Sequence, residues 1–276
     1  MKEALVSIQN IKTHICIIVF SKELMIKIVA IIPARMASTR FPGKPLADLL
    51  GLPMIEHVRR RVALSPLISE VIVATCDHEI MEVVTQYGGR AVMTANTHER
   101  CTDRIAEAAV QIDGDIVVNV QGDEPLVRPE MFESLLYPLL NENDLQCTNL
   151  MVEIVKDEEF NSSDVVKTVC DLKNNAIYFS REPIPSVRKA GGQVFRKYKQ
   201  LGIIAFRKDF LFHFTAMLPT PMEAVESVDM LRAIEHGFKI RMVESPFQVV
   251  GVDTPKDLES ARLLLEKDDL LDSYLT

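Results

Sequence analysis

The stretch 33–45 concentrates positive charge in a short segment of the chain. It carries three cations spaced by small residues, namely Arg35, Arg40 and Lys44, with Ser38, Thr39 and Gly43 between them. Backbone N–H groups in such a loop can form an anion nest, and the side-chain cations can neutralise phosphate. We therefore predict a triphosphate site, although a solvated basic loop would explain the charges equally well. The Walker order of glycines, lysine and hydroxyl residue is absent, which argues against ATP hydrolysis by a P-loop.

Two acidic stretches further along the chain could hold a divalent cation. Asp123, in the stretch 121–125, follows an apolar segment, and one carboxylate there can bind Mg²⁺ together with water and phosphate oxygens. A turn role explains Asp123 as well. Asp253, in the stretch 251–255, is by itself more typical of a helix N-cap. Only its pairing with Asp123 predicts a metal site.

The apolar segments that precede these stretches predict a parallel α/β sheet. Residues 26–32 form a nearly continuous β-branched run, as in a strand buried on both faces. Further strands are predicted at 70–75, 91–94 and 115–120, alternating with helices at 53–63, from the N-cap Asp77 to 87, and at 102–111. Such alternation forms right-handed βαβ units, whose ligands bind beyond the carboxyl ends of the strands.

The pattern loosens after Pro129. A helix to Leu140 precedes predicted strands at 146–155, 165–170, 176–180 and 201–207, which indicate an inserted antiparallel or mixed section at about 145–235. A helix from Met222 to His236, a strand at 239–244 and a helix at 255–267 then return the chain to α/β. We expect residues 25–276 to form one domain and residues 1–24 to be an N-terminal extension, possibly outside the fold.

Composition limits the classes of partner. The net charge of −8 disfavours broad binding to nucleic acid or to an anionic membrane, because both require a basic face. The five cysteines, at positions 16, 76, 101, 147 and 170, contain no C-x-x-C pair, which favours a reducing cytoplasm. The apolar run at 15–20 is much shorter than the ~20 residues that a membrane span needs.

The three loops, in this order, resemble those of the 3-deoxy-manno-octulosonate cytidylyltransferases, also called CMP-Kdo synthetases. The strongest blocks are the residues 32–46, 118–125, 178–181 and 252–255, within a resemblance that covers about 26–265. The resemblance implies a Rossmann-like nucleotidyltransferase fold, mostly a parallel sheet, and a homodimer formed through the inserted section. It also implies the Mg²⁺-dependent transfer of CMP from CTP to the anomeric hydroxyl of an eight-carbon acid sugar.

Site roles follow from the same resemblance, position by position. The implied catalytic set is Arg35 and Lys44 on the triphosphate, with Asp123 and Asp253 as Mg²⁺ ligands. The other implied nucleotide contacts are Ala34, Arg40, Thr75 and Thr102. The implied sugar contacts are Arg104, whose guanidinium would hold the carboxylate, and Gln121, Tyr178, Gln200 and Asp229.

Departures from the family pattern fall in the sugar half. Arg100-Cys101 stand where the family usually has Ser-Gly, Gln200 replaces a histidine, and Asp229-Met230 replace Glu-Gln. A cytidylyltransferase for another acidic acceptor, such as a nonulosonic acid, an amino-substituted Kdo or a phosphonate, is therefore the alternative. A catalytically dead nucleotide-binding subunit is a third possibility, against which the retained catalytic set argues.

Overall fold

The computed structural model describes residues 26–38, 40–189, 191 and 194–275. The extension predicted for residues 1–24, and Cys16 with it, lies outside the described residues.

Eleven strands and ten α-helices are present within the described residues. In chain order the strands are β1 (Ile28–Ala34), β2 (Asp48–Leu49), β3 (Leu52–Pro53), β4 (Glu70–Thr75), β5 (Arg90–Met93), β6 (Ile116–Asn119), β7 (Cys147–Glu153), β8 (Lys167–Cys170), β9 (Ala176–Ser180), β10 (Tyr198–Arg207) and β11 (Arg241–Glu244). The helices are α1 (Met54–Ala63), α2 (His78–Gln86), α3 (Cys101–Val110), α4 (Glu130–Asn141), α5 (Asp157–Asn161), α6 (Lys208–Ala216), α7 (Pro221–Glu226), α8 (Met230–Glu235), α9 (Pro255–Leu265) and α10 (Leu271–Leu275).

The large sheet has the strand order β11-β7-β10-β6-β1-β4-β5. Strand β1 pairs in parallel with β4 and β6, and β4 pairs in parallel with β5. Strand β10 is antiparallel to both β6 and β7, and the pair β8 and β9 joins the sheet through β10. The predicted class, a mostly parallel α/β sheet with a mixed section in the second half, is confirmed.

Helices cover both faces of this sheet and create two apolar cores. One core joins the sheet to α1, α2 and α4, and includes Ile55, Val84 and Phe132. The other joins it to α3, α6 and α8, and includes Ile105 and Phe214. Because both faces are covered, β1 is buried along its whole length, as its β-branched composition predicts. No helix within the described ranges is long and apolar enough to cross a membrane.

The predicted helix from Met222 to His236 is wrong. The chain forms two short helices there, α7 and α8, because Ser227 adopts a left-handed backbone with φ 53° and ends α7. A non-glycine residue in this region is disfavoured by steric contact with Cβ, so side-chain contacts must hold it there. Helix α6, at Lys208–Ala216, is a further element that the sequence pattern did not predict.

Asp253 does not take the N-cap position that its local sequence alone would favour. Helix α9 is capped by Thr254, whose hydroxyl and backbone N–H form a reciprocal capping box with Asp257. Helix α9 packs through Leu258 and Leu265 against Leu49 of β2 and Met54 at the start of α1. The carboxylate of Asp253 is thereby left available for contacts outside the helix.

Candidate active site

A cavity of about 300 Å³ opens at the carboxyl ends of β1 and β6. It is called the large cavity here because a much smaller one, of about 40 Å³, lies beside it. The residues predicted for phosphate and metal binding line the large cavity, namely Arg35, Arg40, Lys44, Asp123 and Asp253. Ala34, predicted as a nucleotide contact, and Gln121, predicted as a sugar contact, line it as well. Parallel pairing of β1 with β6 places the two loops that follow these strands at the same edge of the sheet.

Positive and negative side chains converge on the floor of this cavity. Lys44 Nζ lies 2.8 Å from Asp123 Oδ2 and 3.3 Å from Asp253 Oδ1, and only 12% of its side chain is exposed. Arg40 Nη2 lies 2.9 Å from Asp253 Oδ1. Two carboxylates that lie far apart in the sequence therefore meet around one cation.

The backbone brings the two aspartates together. Val252 N–H donates to the Asp123 carbonyl over 2.9 Å, which places the segment before α9 beside the loop after β6. That loop itself turns through a hydrogen bond from Glu124 N–H to the Gln121 carbonyl. Asp123 is therefore part of a turn and also presents its carboxylate to the cavity.

The loop after β1 curls around the carbonyl of Met36. Ser38 N–H and Gly43 N–H both donate to this oxygen, over 2.9 and 3.2 Å. Gly43, with φ 73°, then starts a short 3₁₀ helix at Lys44–Leu46, a backbone conformation that favours glycine. The curl places the cations of the loop around the cavity and is the reason that Lys44 points at the aspartates.

Asp77 is a functional residue whose role the sequence did not predict. It stands at the predicted N-cap position of α2, yet its side chain makes no capping hydrogen bond. Its Oδ2 instead accepts a hydrogen bond from Met36 N–H over 2.8 Å. An aspartate directly after a buried strand, beside a neighbouring ligand loop, is the signal that could have indicated this contact.

The two converging carboxylates suit one metal more than another. Across the described segments, no group of three or more His, Cys, Asp or Glu side chains could hold a metal ion. A site with only two protein carboxylates excludes a closed zinc or calcium cage but fits Mg²⁺, which keeps waters and takes substrate phosphate oxygens. Asp123 and Asp253 therefore have the donor chemistry for magnesium.

Glu124 lies beneath this site rather than in it. Burial raises the pKa of its carboxyl to about 8, and the negative charge of Asp123 adds to the shift. A hydrogen bond from the backbone of Gly202 acts in the opposite direction. Glu124 thus connects the turn that carries Asp123 to Gly202 of β10.

Arg104 sits at the edge of the site, facing inward. Its side chain is buried, and Nη1 donates to Thr94 Oγ1 over 2.5 Å and to the Ala95 carbonyl over 3.3 Å. It also lines a small cavity of about 40 Å³ beside Ala34 and Arg35. Part of the Arg104 guanidinium therefore binds Thr94 and Ala95 in the loop after β5.

Two predicted nucleotide contacts lie behind the wall of the large cavity. Thr75 is fully buried next to Ala34 in the β1–β4 register, and its Oγ1 accepts from Asp77 N–H over 3.1 Å. Thr102 is buried in the first turn of α3, and its hydroxyl donates to the carboxylate of Asp229. Both threonines support residues of the site without lining the cavity.

Two further residues that were predicted to contact the sugar form hydrogen bonds with other side chains of the protein instead. Gln200 Nε2 donates to Asn149 Oδ1 over 2.7 Å, and Tyr178 OH donates to Glu226 Oε1 over 3.3 Å. Neither these two residues nor Asp229 lines the large cavity, whereas Gln121 does.

Cys101, which was not predicted as a site residue, faces the large cavity. It begins α3, lines both cavities and places its Sγ 3.6 Å from Gln121 Oε1. Its thiol lies in the cleft, where desolvation, with help from the carboxylates of Asp229 and Asp123, raises its pKa to about 11. It is therefore protonated at neutral pH.

Comparison with known proteins matches this geometry to one family. The family model described as cytidylyltransferase matches residues 29–240. A 3-deoxy-manno-octulosonate cytidylyltransferase of Geobacter metallireducens is 48% identical over 242 residues, covering 84% of this chain and 95% of the relative. One from Syntrophus aciditrophicus is 48% identical over 244 residues, covering 87% and 98%.

Solved structures agree with the sequence relatives. A CMP:2-keto-3-deoxy-manno-octonic acid synthetase complexed with CTP superposes with a TM-score of 0.82 at 40% identity, covering 87% of this chain and 99% of that one. A 4-diphosphocytidyl-2C-methyl-D-erythritol synthase of Anaerococcus prevotii has a TM-score of 0.59 at 15% identity, which shows a shared fold. The chain belongs to the 3-deoxy-manno-octulosonate cytidylyltransferase family.

Proposed function

We propose that this protein transfers CMP from CTP to the anomeric hydroxyl of 3-deoxy-D-manno-octulosonate (Kdo) and releases pyrophosphate, a step toward lipopolysaccharide. The observation that carries the proposal is the convergence of Asp123 and Asp253 on Lys44 inside a cavity lined by Arg35 and Arg40. Family membership and the CTP complex of the 40% identical synthetase support the same substrates.

The cations of the loop after β1 are proposed to hold the triphosphate. Arg35 is exposed at the cavity and makes no ion pair with any described residue, so its guanidinium is available to phosphate oxygens. Lys44 is nearly buried and faces the floor of the cavity, where its charge offsets the two aspartates and the phosphates together. Arg40 contributes from the rim, where it contacts Asp253.

Asp123 and Asp253 are proposed to hold Mg²⁺. Bound there, the ion would neutralise phosphate charge and lower the pKa of a coordinated hydroxyl. The two carboxylates would hold it between the loop after β6 and the segment before α9, and Lys44, which contacts both, offsets part of their negative charge.

The reaction needs positioning more than covalent chemistry from the protein. The acceptor hydroxyl oxygen forms a bond to the α-phosphorus and loses its proton to solvent, while the opposite bond, from the α-phosphorus to the bridging oxygen, breaks as pyrophosphate leaves. The protein aligns these atoms and neutralises the charge on the phosphates. No histidine base is required, and none lines the large cavity among the residues the structure describes.

The remaining assignments follow the family. Ala34, Thr75 and Thr102 are proposed to shape the nucleotide side. Arg104, Gln121, Tyr178, Gln200 and Asp229 are proposed to shape the sugar side, the last three from behind the wall of the large cavity.

A cytoplasmic homodimer formed through the inserted section is proposed as the working form. Apolar side chains that are exposed on this section support a protein contact there; they include Leu172, Ile177, Val187 and Phe195. The net charge of −8 supports a protein that has neither nucleic acid nor a membrane as a partner. Small anionic substrates are then bound by a local group of cations rather than by a broad basic face.

A second candidate is a cytidylyltransferase for a different acidic acceptor. It is favoured by the observation that Gln200 and Tyr178 contact Asn149 and Glu226 rather than the cavity. The sugar pocket thereby offers a different set of groups from the family pattern, with Cys101 prominent in it.

Pyrophosphate release tests these candidates. The protein is incubated with CTP, Mg²⁺ and one acid at a time: Kdo, an amino-substituted Kdo, N-acetylneuraminate or a phosphonate. The proposal expects the highest kcat/KM with Kdo. A preference for another acid favours the second candidate, and CTP binding without turnover of any acid favours a dead nucleotide-binding subunit.

A further inference from the structure

Glu226 receives hydrogen bonds from residues at the end of β9. Ser180 Oγ donates to Oε1 over 2.7 Å, Tyr178 OH to Oε1 over 3.3 Å, and Arg181 N–H to Oε2 over 2.8 Å. Burial by itself would raise the pKa of this carboxyl, but the donors outweigh it and the pKa is lowered. The end of β9 therefore binds an ionised carboxylate at the end of α7.

Arg181 holds the backbone on the same side. Its Nε donates to the Glu226 carbonyl over 2.8 Å, and its Nη1 donates to the Ser163 carbonyl over 3.0 Å. Nη2 reaches the Ser227 carbonyl at 3.4 Å. The guanidinium thus binds the point at which α7 ends.

Ser227 turns the chain toward the site. Its left-handed backbone, φ 53° and ψ 44°, is disfavoured for serine and redirects the chain from α7 to Asp229. Contacts on both sides of Ser227 are therefore needed to keep this conformation.

The start of α3 holds the same turn from the other side. Arg100 Nη1 donates to Ser227 Oγ over 3.1 Å, and the Thr102 hydroxyl donates to the Asp229 carboxylate. Cys101, between Arg100 and Thr102, lines the large cavity. The turn 226–229 is therefore bound between β9 and the first turn of α3, which forms a wall of the site.

We infer that Glu226 is a positioning residue for the acceptor half of the site. It binds Tyr178, Ser180 and Arg181, and so fixes the turn 226–229 that places Asp229 against Thr102. Tyr178 acts through Glu226 rather than by touching the acceptor. This inference rests on the proposed function, because it assigns the wall at Cys101 to the acid sugar.

Steady-state kinetics of Glu226→Gln test it. The amide keeps the size of the side chain but cannot accept from three donors as a carboxylate does. We expect the KM for the acceptor to rise about tenfold, because contacts that bias a site indirectly act at this scale. The Kd for CTP, measured by calorimetry without acceptor, should change by less than about twofold.

Glu235→Gln is the matched control. Glu235 accepts hydrogen bonds from Met222 N–H and Glu223 N–H at the opposite end of α7. A general loosening of α7 would follow from either substitution. An acceptor KM that rises equally in both variants therefore means a structural effect and overturns the inference.

Tyr178→Phe tests the inference by itself if Glu226→Gln folds poorly: the acceptor KM should rise, the Kd for CTP should not, and an unchanged acceptor KM would overturn the inference. Removing this hydroxyl deletes one donor to Glu226 and little volume. Where Glu226→Gln folds, the two substitutions can also be combined. The two substitutions should be strongly non-additive, so that Tyr178→Phe has little further effect in Glu226→Gln protein. Independent, additive effects on the acceptor KM would mean that Tyr178 contacts the acceptor itself and would overturn its role through Glu226.

Failure of the proposed function has a separate signature. Wild-type protein that turns over no acid of the panel overturns both the proposed function and this inference. Wild-type turnover together with an unchanged acceptor KM in Glu226→Gln overturns the inference alone.

Discussion

The Asp77 carboxylate binds the backbone of Met36, with 2.8 Å between Oδ2 and the Met36 nitrogen. This contact joins the end of β4 to the loop that carries Arg35 and Lys44. Met36 and Asp77 are 41 positions apart in the sequence. The Met36 carbonyl, on the other side of the same residue, accepts the hydrogen bonds that curl the loop. One residue thus transmits the position of β4 to the cations of the site.

Asp77→Ala should weaken CTP binding. It removes a charge-assisted hydrogen bond to the loop, and we expect the KM for CTP to rise roughly tenfold with a smaller change in the acceptor KM. Asp77→Asn is the matched control, since its amide oxygen can still accept from Met36 N–H. Equal KM values for CTP in the alanine and wild-type proteins would contradict this role.

Asp123→Asn and Asp253→Asn should each lower turnover while CTP still binds. Each removes one of the two carboxylates proposed to hold Mg²⁺, and we expect kcat to fall by at least about 100-fold. Chelation of wild-type protein by EDTA should abolish pyrophosphate release, and added Mg²⁺ should restore it.

Asp113→Asn serves as the control for these two variants. Its side chain is 93% exposed and contacts Lys27 rather than the cavity. Near-wild-type turnover in Asp123→Asn would refute the metal assignment, whatever the behaviour of the control.

The buried strands were the most predictable part of this fold. A strand covered on both faces is apolar along its buried length, as β1 is throughout and β4 is from Val71 to Ala74. The helix across 222–236 was not predictable in detail, because a serine rather than a glycine adopts the left-handed turn at Ser227. That conformation depends on Arg181 and Arg100, which come from distant parts of the chain.

The site was predictable to the level of its loops but not of its contacts. The position of Asp253 before a helix suggested a cap, and only the fold shows that Thr254 takes that role. Lys44 was expected on phosphate, yet its contacts with two distant aspartates depend on how the loops meet. The inward orientation of Arg104 likewise depends on its hydrogen bond to Thr94, which the spacing of residues in the sequence does not indicate.

Gly202→Ala should disturb the acceptor side. A Cβ at this position would lie 2.2 Å from Gln121 Cγ, so Gln121 must move away from its place beside Cys101. Overpacking of this kind costs about 1–3 kcal/mol, and we expect a lower Tm and an acceptor KM raised about fivefold. Combining it with Gln121→Ala should restore most of the lost Tm, because the 2.2 Å contact with Cγ is removed and only the 3.2 Å contact with the Cβ of residue 121 remains. A Tm that stays low in the double variant would place the strain elsewhere.

Alkylation of Cys101 should report on CTP binding. Because the thiol pKa is raised to about 11, the reactive thiolate is scarce at pH 7.5, and N-ethylmaleimide labelling should be slow and should accelerate as the pH rises. CTP at about ten times its Kd should slow labelling of Cys101 about tenfold, measured on the tryptic peptide by mass spectrometry. Labelling that CTP leaves unchanged would mean that bound CTP does not cover the wall at Cys101. Cys101→Ser protein provides the unlabelled control.

His57 should make the stability of the fold depend on pH. It is fully buried, with Nε2 donating to the Leu49 carbonyl over 2.6 Å and Nδ1 accepting from Tyr274 OH over 2.9 Å, so it is neutral. Burial lowers its pKa below the usual value of 6.5; the hydrogen bond to Leu49 opposes the shift, and the charges of Arg61 and Arg60 add to it.

The sign follows from proton uptake. Above the unfolded pKa of about 6.5 both states are neutral, whereas below it the unfolded chain takes up a proton that folded His57 refuses, so stability falls as the pH falls. Urea unfolding from pH 7.5 to 5 should show this loss as the difference between wild-type protein and His57→Gln, because Glu124, whose pKa is raised to about 8, acts in the opposite direction in both proteins. His57→Gln should be less stable at pH 7.5 by about 1 kcal/mol but should lose less on acidification. His236→Gln, at an exposed position, should keep the wild-type slope. An unchanged slope in His57→Gln would assign the acid sensitivity to other groups, because only a residue that refuses the proton in the folded state can produce it.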